Sequence, residues 1–169
     1  MAGTVSVFTI AGGDLGARQT LDKMRALVNA ARVDPVVVNT AKAVTAGAAP
    51  DEGYMALALG HWLDDHFAFV RDPTGVELLH EPRYMLEAVQ ARGLFRGDCD
   101  DAAVLGAALA KAVGLTARFR ALGFRGKGGP LSHVIADVRT PRGWVQFDVT
   151  RPAQFARLPS VSRVVTVEV

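Results

Sequence analysis

Three residues have the types and the order that thiol acyl-transfer chemistry requires. Cys99 is the only cysteine in the chain and stands in Arg96-Gly97-Asp98-Cys99-Asp100-Asp101, at the start of a long apolar run. Asp98 reads as a helix N-cap whose carboxylate accepts from the backbone N–H of Asp100 or Asp101. Cys99 then occupies the first helical position, where the positive end of the helix dipole favours a thiolate. Asp100 and Asp101 oppose this, because neighbouring negative charge raises a thiol's pKa. A thiolate here needs a cationic partner. His133 and Asp148 supply one: a histidine as base and a carboxylate to orient it.

These two residues lie in segments that read as a hairpin, Ser132–Arg139 and Gly143–Thr150. A turn centred between Thr140 and Pro141 sets His133 opposite Asp148, with roughly 5 Å between Cβ atoms. Alternation puts His133, Ile135 and Asp137 on one face with Trp144, Gln146 and Asp148, and an apolar set on the other. A lone histidine near an aspartate is usually structural. A single cysteine at a capped helix start and an opposed His–Asp pair, in one chain, favour the catalytic reading of Cys99, His133 and Asp148.

The elements that must position them follow from periodicity. A strand is expected over residues 4–10 and an amphipathic helix over 17–31, carrying Leu21, Met24, Leu27 and Val28. A short helix is expected over 36–45 and a longer one over Asp51–Arg71. Within the latter, His61, Asp64, Asp65 and His66 invite a metal reading, but a solvated face accounts for them better. Asp72-Pro-Thr-Gly75 is a turn, and Pro82 opens a helix that ends near Gly93. The Cys99–Val113 helix is apolar nearly all round and therefore buried, with Gly114 as its stop. Leu115–Leu122 and Ser160–Val169 read as strands.

The bulk properties narrow the class. The 169 residues are half apolar, a fifth charged and carry a net charge of +2. One domain over 1–169 is expected, with residues 1–14 and 153–169 as extended arms. The small net charge, and the lack of a basic stripe interleaved with aromatics, argue against nucleic acid. No apolar run is long enough to span a membrane. The N-terminus lacks a basic and apolar leader, so synthesis in a cytoplasm is expected, with incorporation in a virion as the alternative taken up below. No cofactor and no metal are expected. Carboxylates at Asp98, Asp100 and Asp101 could hold Mg²⁺ or Ca²⁺, but capping already accounts for Asp98.

The ordered set Gly97-Asp98-Cys99-Asp100-Asp101, Gly114-Leu-Thr-Ala-Arg118, Ser132-His133-Val134 and Gly143-Trp144-Val-Gln-Phe147-Asp148 resembles the transglutaminase-like superfamily, a branch of papain-like cysteine enzymes. Trp62, Phe69-Val-Arg-Asp72 and Glu81-Pro82 fit its lead-in helices, so the resemblance covers about residues 52–150. It implies an α+β fold, with N-terminal helices and a central buried helix packed on an antiparallel sheet. It implies Cys99 as nucleophile, His133 as general base and then acid, and Asp148 as orienter. It implies an amide substrate, of protein or peptidoglycan, with water or an amine as acyl acceptor.

The resemblance leaves the second oxyanion donor open among Trp62, Tyr84 and Gln90, each of which has a packing or surface role as the plainer explanation. The whole layout is also similar to small stand-alone transglutaminase-like proteins of tailed phages and prophages. That implies an alternative, a virion or assembly component with an idle triad, joined to other phage proteins through its β-rich termini. Those termini could instead pair with each other. Arg118, Arg120, Arg125 and Lys127 offer a basic surface to an acidic partner, or are simply solvated.

Overall fold

The computed structural model describes residues 4–8, 13–73, 76–125, 129–149 and 160–169. Its elements, in order, are β1 (Val5–Phe8), α1 (Gly13–Ala31), α2 (Pro35–Thr45), α3 (Glu52–His66), β2 (Phe67–Phe69), β3 (Glu77–His80) and α4 (Pro82–Arg92). Then follow β4 (Phe95–Gly97), α5 (Cys99–Ala112), β5 (Ala117–Gly123), β6 (His133–Thr140), β7 (Gly143–Phe147) and β8 (Arg163–Glu168). The expected α+β class holds. Among the described residues, no helix is long and apolar enough to cross a membrane.

Helix α5 is the centre. Every residue from Asp100 to Ala110 is buried, and the helix packs against α1, α2, α3 and α4 as well as against β5, β6 and β7. Its alanines and Gly106 have the small side chains that let neighbours approach on all sides. A four-stranded antiparallel sheet, ordered β7-β6-β5-β8, covers one side of it. The face toward α5 carries Ala117, Phe119, Ala121, Val134, Ala136, Val138 and Phe147, all in the main core.

The opposite face is more than a solvated one. Leu122 and Ile135 are fully buried there, outside the main core. Beside them Asp137, 1% exposed, receives Arg118 Nε at 2.9 Å and an Arg120 terminal nitrogen at 2.8 Å. The Arg118 guanidinium lies 3.9 Å from the Trp144 ring centroid, a cation–π contact. So the two arginines are committed to a buried carboxylate, which corrects their reading as a free basic surface; Lys127 lies outside the described residues.

Several boundaries differ from expectation. The helix expected to Arg71 stops at His66, whose Nδ1 bonds the Trp62 carbonyl at 2.8 Å and whose ring stacks on Trp62. The next residues, Phe67-Ala-Phe69, pair in parallel with β4 instead, because the buried ring of Phe67 finds Phe95. Strands β3 and β4 are too short to show periodicity. Among the described residues the termini do not pair with each other: β1 pairs with β3, and β8 with β5. The segments expected as extended arms thus supply sheet strands, and Asp14 already belongs to α1. The expected ends of the first strand (residues 9–10), of the turn (74–75) and of the second hairpin strand (Thr150) lie outside the described residues, as does 153–159.

Close packing of α5 has a testable consequence. A Cβ on Gly106 would sit 2.9 Å from Phe147 Cδ2 and 3.0 Å from Leu63 Cδ1, both on buried side chains. Replacing glycine inside a helix gains at most about 1 kcal/mol of propensity, while overpacking a core costs about 1–3 kcal/mol. Gly106→Val, β-branched and a poorer helix former than alanine, is expected to lower the urea midpoint of unfolding; an unchanged or raised midpoint would show that Phe147 and Leu63 yield freely.

Candidate active site

The Cys99 end of α5 is set by three short strands. β4 runs into the helix through Gly97, and Val70 N–H bonds the Gly97 carbonyl at 2.7 Å, tying it to the end of β2. Asp98 is the N-cap, accepting from the Asp100 and Asp101 amides at 3.0 and 3.4 Å. Gly97 has to be glycine: a Cβ there would run into the Asp101 carboxylate and lie 2.8 Å from the Phe95 ring. Cys99 is half-buried at the first helical position. Its Sγ lies 3.4 Å from Asp100 Oδ1 and receives the backbone N–H of Val134 on β6.

Val134 adjoins His133, so the helix start and the start of β6 meet at the thiol. His133 Nε2 lies 3.0 Å from Asp148 Oδ2, with both side chains largely buried. The register differs from expectation. Thr140 pairs with Gly143, Val138 with Val145 and Ala136 with Phe147, so the two-residue turn is Pro141-Arg142. Asp148 therefore stands just past β7 and reaches His133 diagonally rather than from directly opposite. The slip is by two positions in the pairing, which preserves the faces; a slip of one would have turned the two side chains apart.

Residues 38–149 match the transglutaminase-like superfamily, about two thirds of the 169 residues. The chain belongs to the transglutaminase-like superfamily. A solved structure from Cytophaga hutchinsonii, described as a "putative cysteine protease", is similar at 18% identity and a TM-score of 0.49. The similarity covers 78% of this chain and 50% of that one, so the chain spans about half that protein's length. Comparison with curated proteins finds no match.

In this transglutaminase-like chain, the electrostatics around the thiol favour its neutral form. Burial pushes the Cys99 thiol well above its ordinary range, the Asp100 and Asp98 carboxylates push the same way, and the Val134 amide offsets only part. Desolvation thus outweighs the helix dipole that sequence reasoning expected to favour a thiolate. The carboxylates pay the same cost. Asp98 is pushed up to about 7 by burial and by Asp101 and Asp72, despite its two amide bonds. Asp100 is raised well above the carboxylate range by burial, a hydrogen bond with Glu77 and the charge of Asp98.

The aspartates invoked for a cation are engaged otherwise. Asp98, Cys99 and Asp100 place ligand-type atoms within 4.8 Å of one another. However, the helix amides take Asp98, and Glu77 and the thiol take Asp100. Asp101 turns away, to His80: its Oδ1 accepts the His80 backbone N–H at 2.9 Å and its Oδ2 lies 2.7 Å from His80 Nδ1. Sequence reasoning missed His80, Asp72 and Glu77, all of which lie in or beside a short strand with no periodic signal. Of the donors considered for an oxyanion, Tyr84 stacks on His80, Trp62 stacks on His66 and packs on the core, and Gln90 is exposed.

The raised Asp98 pKa fixes a sign for stability. An unfolded aspartate titrates near 3.9. The folded state therefore holds the proton longer, and stability falls as pH rises from about 4 to about 7. Asp98→Asn keeps an oxygen for the cap and removes the charge, so this loss shrinks; Asp98→Ala also loses the cap, at about 1 kcal/mol. Urea unfolding at pH 4, 5.5 and 7 measures both, and an Asn variant with the wild-type pH slope would refute the assignment.

Proposed function

We propose that this protein is a thiol acyl-transfer enzyme acting on amide bonds of protein or peptidoglycan, with Cys99, His133 and Asp148 as nucleophile, base and orienter. The observation that supports this reading is the 3.0 Å His133–Asp148 contact, with the Cys99 Sγ held on the amide of the residue next to His133. Asp148 engages Nε2, which leaves Nδ1 for the thiol. Superfamily membership supports the same class of chemistry.

The chemistry follows from these positions. The neutral thiol is poorly nucleophilic, so activation is proton transfer from Sγ to His133 Nδ1, and Asp148 stabilises the imidazolium. The thiolate adds to the amide carbonyl. The developing oxyanion needs donors. The cap takes the amides of Asp100 and Asp101, whereas the Cys99 N–H is one of the first-turn donors with no acceptor inside the helix. It is the natural donor to that oxygen. Collapse breaks the C–N bond, and the imidazolium proton leaves with the amine. The thioester then passes its acyl group to water or to a second amine.

A second reading keeps the fold as an assembly component of a tailed-phage particle. The exposed apolar residues on outer strands favour it: Val5 and Val7 on β1 are 39% and 67% exposed, and Val164 on the edge strand β8 is 48% exposed. Such edges add further chains readily.

Two measurements separate these. Iodoacetamide alkylation of Cys99, followed by intact mass against pH, should show that reactivity at pH 7 depends on His133, since the thiol's own ionisation lies above the ordinary range. In His133→Ala the reactivity should drop at least about tenfold at pH 7, and in Asp148→Asn by less. An unchanged profile in His133→Ala sinks the enzymatic reading. For the second reading, Val7→Lys with Val164→Lys should abolish self-association seen by sedimentation; a wild-type chain that stays monomeric at high concentration removes its support.

A further inference from the structure

We propose that His80 is a positioning residue for the thiol site: held on Asp101, its imidazolium supplies the positive charge that lets the first turn of α5 carry Cys99 among buried carboxylates. This rests on Cys99 being the nucleophile. The side chain of His80 contacts Asp101, Tyr84 and Phe95, and the reaction described above does not use it.

The geometry is that of a second His–Asp pair. The Asp101 side chain is 0% exposed and the His80 side chain 13% exposed. Both Asp101 oxygens are taken by the one residue, through its backbone N–H and its ring. The ring is fixed on two further sides, stacked on Tyr84 at 5.4 Å and edge-on to Phe95 at 5.1 Å. Gly97 leaves the space that the Asp101 carboxylate fills. A carboxylate so buried demands a paired charge, and an unpaired one costs far more than a neutral hydrogen bond returns.

The charged groups that act on His80 are acidic. From α5 come Asp101 and Asp98, and from the segment after β2 comes Asp72, all of which act on its charge. Asp72 Oδ2 accepts the Leu78 amide on β3 itself, where Glu77 also lies. From α4 comes Tyr84, from β4 the uncharged Phe95, and from β1 the uncharged Val5, which pairs with His80. Among these groups His80 is the one base. Burial works against its charged form, but Asp101, Asp72 and Asp98 outweigh it and raise its pKa. As pH rises through that raised value the positive charge is lost. The field of Asp101 then adds to burial and to the fields of Asp100 and Asp98, which already hold the thiol neutral.

The test reads Cys99 alkylation against pH in folded variants, with folding checked by circular dichroism. His80→Gln retains a hydrogen-bond donor for Asp101 but no charge, and should alkylate about tenfold more slowly at pH 7, as one unit of thiol pKa would give. Asp101→Asn should alkylate faster than wild type. The double variant His80→Gln/Asp101→Asn removes both charges and should recover the wild-type rate. A purely structural role predicts the reverse, with the double variant as slow as His80→Gln or slower. That result, or a folded His80→Gln with the wild-type profile, overturns the proposal. If the variants do not fold, the wild type decides: its alkylation profile should bend at the His80 pKa observed by NMR, and a single smooth ionisation overturns the proposal. His133→Ala run in parallel tests the nucleophile–base reading separately, since it leaves the His80–Asp101 pair intact.

Discussion

Burying the charged first turn of α5 is the constraint on which the rest of this structure depends. The helix is enclosed on all sides, and its N-terminus brings Asp100 and Asp101 into the interior, with Asp98 and Cys99 half-buried beside them. Each ionised carboxylate is cheaper in water, and each makes the next harder to ionise. The surrounding short strands are explained by this cost. β3 delivers His80 to Asp101 and Glu77 to Asp100, and β4 ends in a glycine where only a glycine leaves room. The cap on the helix amides disposes of one oxygen of Asp98.

The same constraint shapes the thiol. A cysteine at a helix start is commonly read as an activated one, because the dipole favours negative charge. Here the dipole effect is modest beside desolvation and two adjacent aspartates, and the thiol rests in its neutral form. In the proposed reaction the nucleophile is therefore generated by a base, His133, rather than resting as a thiolate. His133, fixed by Asp148 through one ring nitrogen, stands beside the amide that already holds the sulfur.

The sheet contributes rigidity at the other half of the site. β6 is central, paired on both sides, and its inner face is locked into α5 by Val134, Ala136 and Val138. On its outer face Asp137 ties β5 to β6 through Arg118 and Arg120, and Trp144 of β7 lies against Arg118. A buried carboxylate shared by two guanidinium groups is strongly coupled to its surroundings. It ties β5 to β6, and Arg120 also reaches Gln146 of β7 at 3.2 Å.

Local pattern by itself determined what local physics controls. The Asp98 cap, the buried α5, the stop at Gly114 and the side on which His133 and Asp148 project are all properties of a residue and its near neighbours in sequence. They follow from capping chemistry and from periods of 3.6 and 2. The hairpin faces are legible in sequence even where the turn is not, because parity survives a two-residue slip of the register. The short strands β2, β3 and β4 were beyond reach, since three or four residues hold no period and their pairing is decided by distant partners. The commitment of Arg118 and Arg120 to Asp137, and of Asp101 to His80, was equally invisible: each joins residues 17 to 21 positions apart. Only the tertiary structure decided the protonation of the thiol and its carboxylates, because desolvation depends on how completely a group is enclosed, and enclosure is a property of the whole fold.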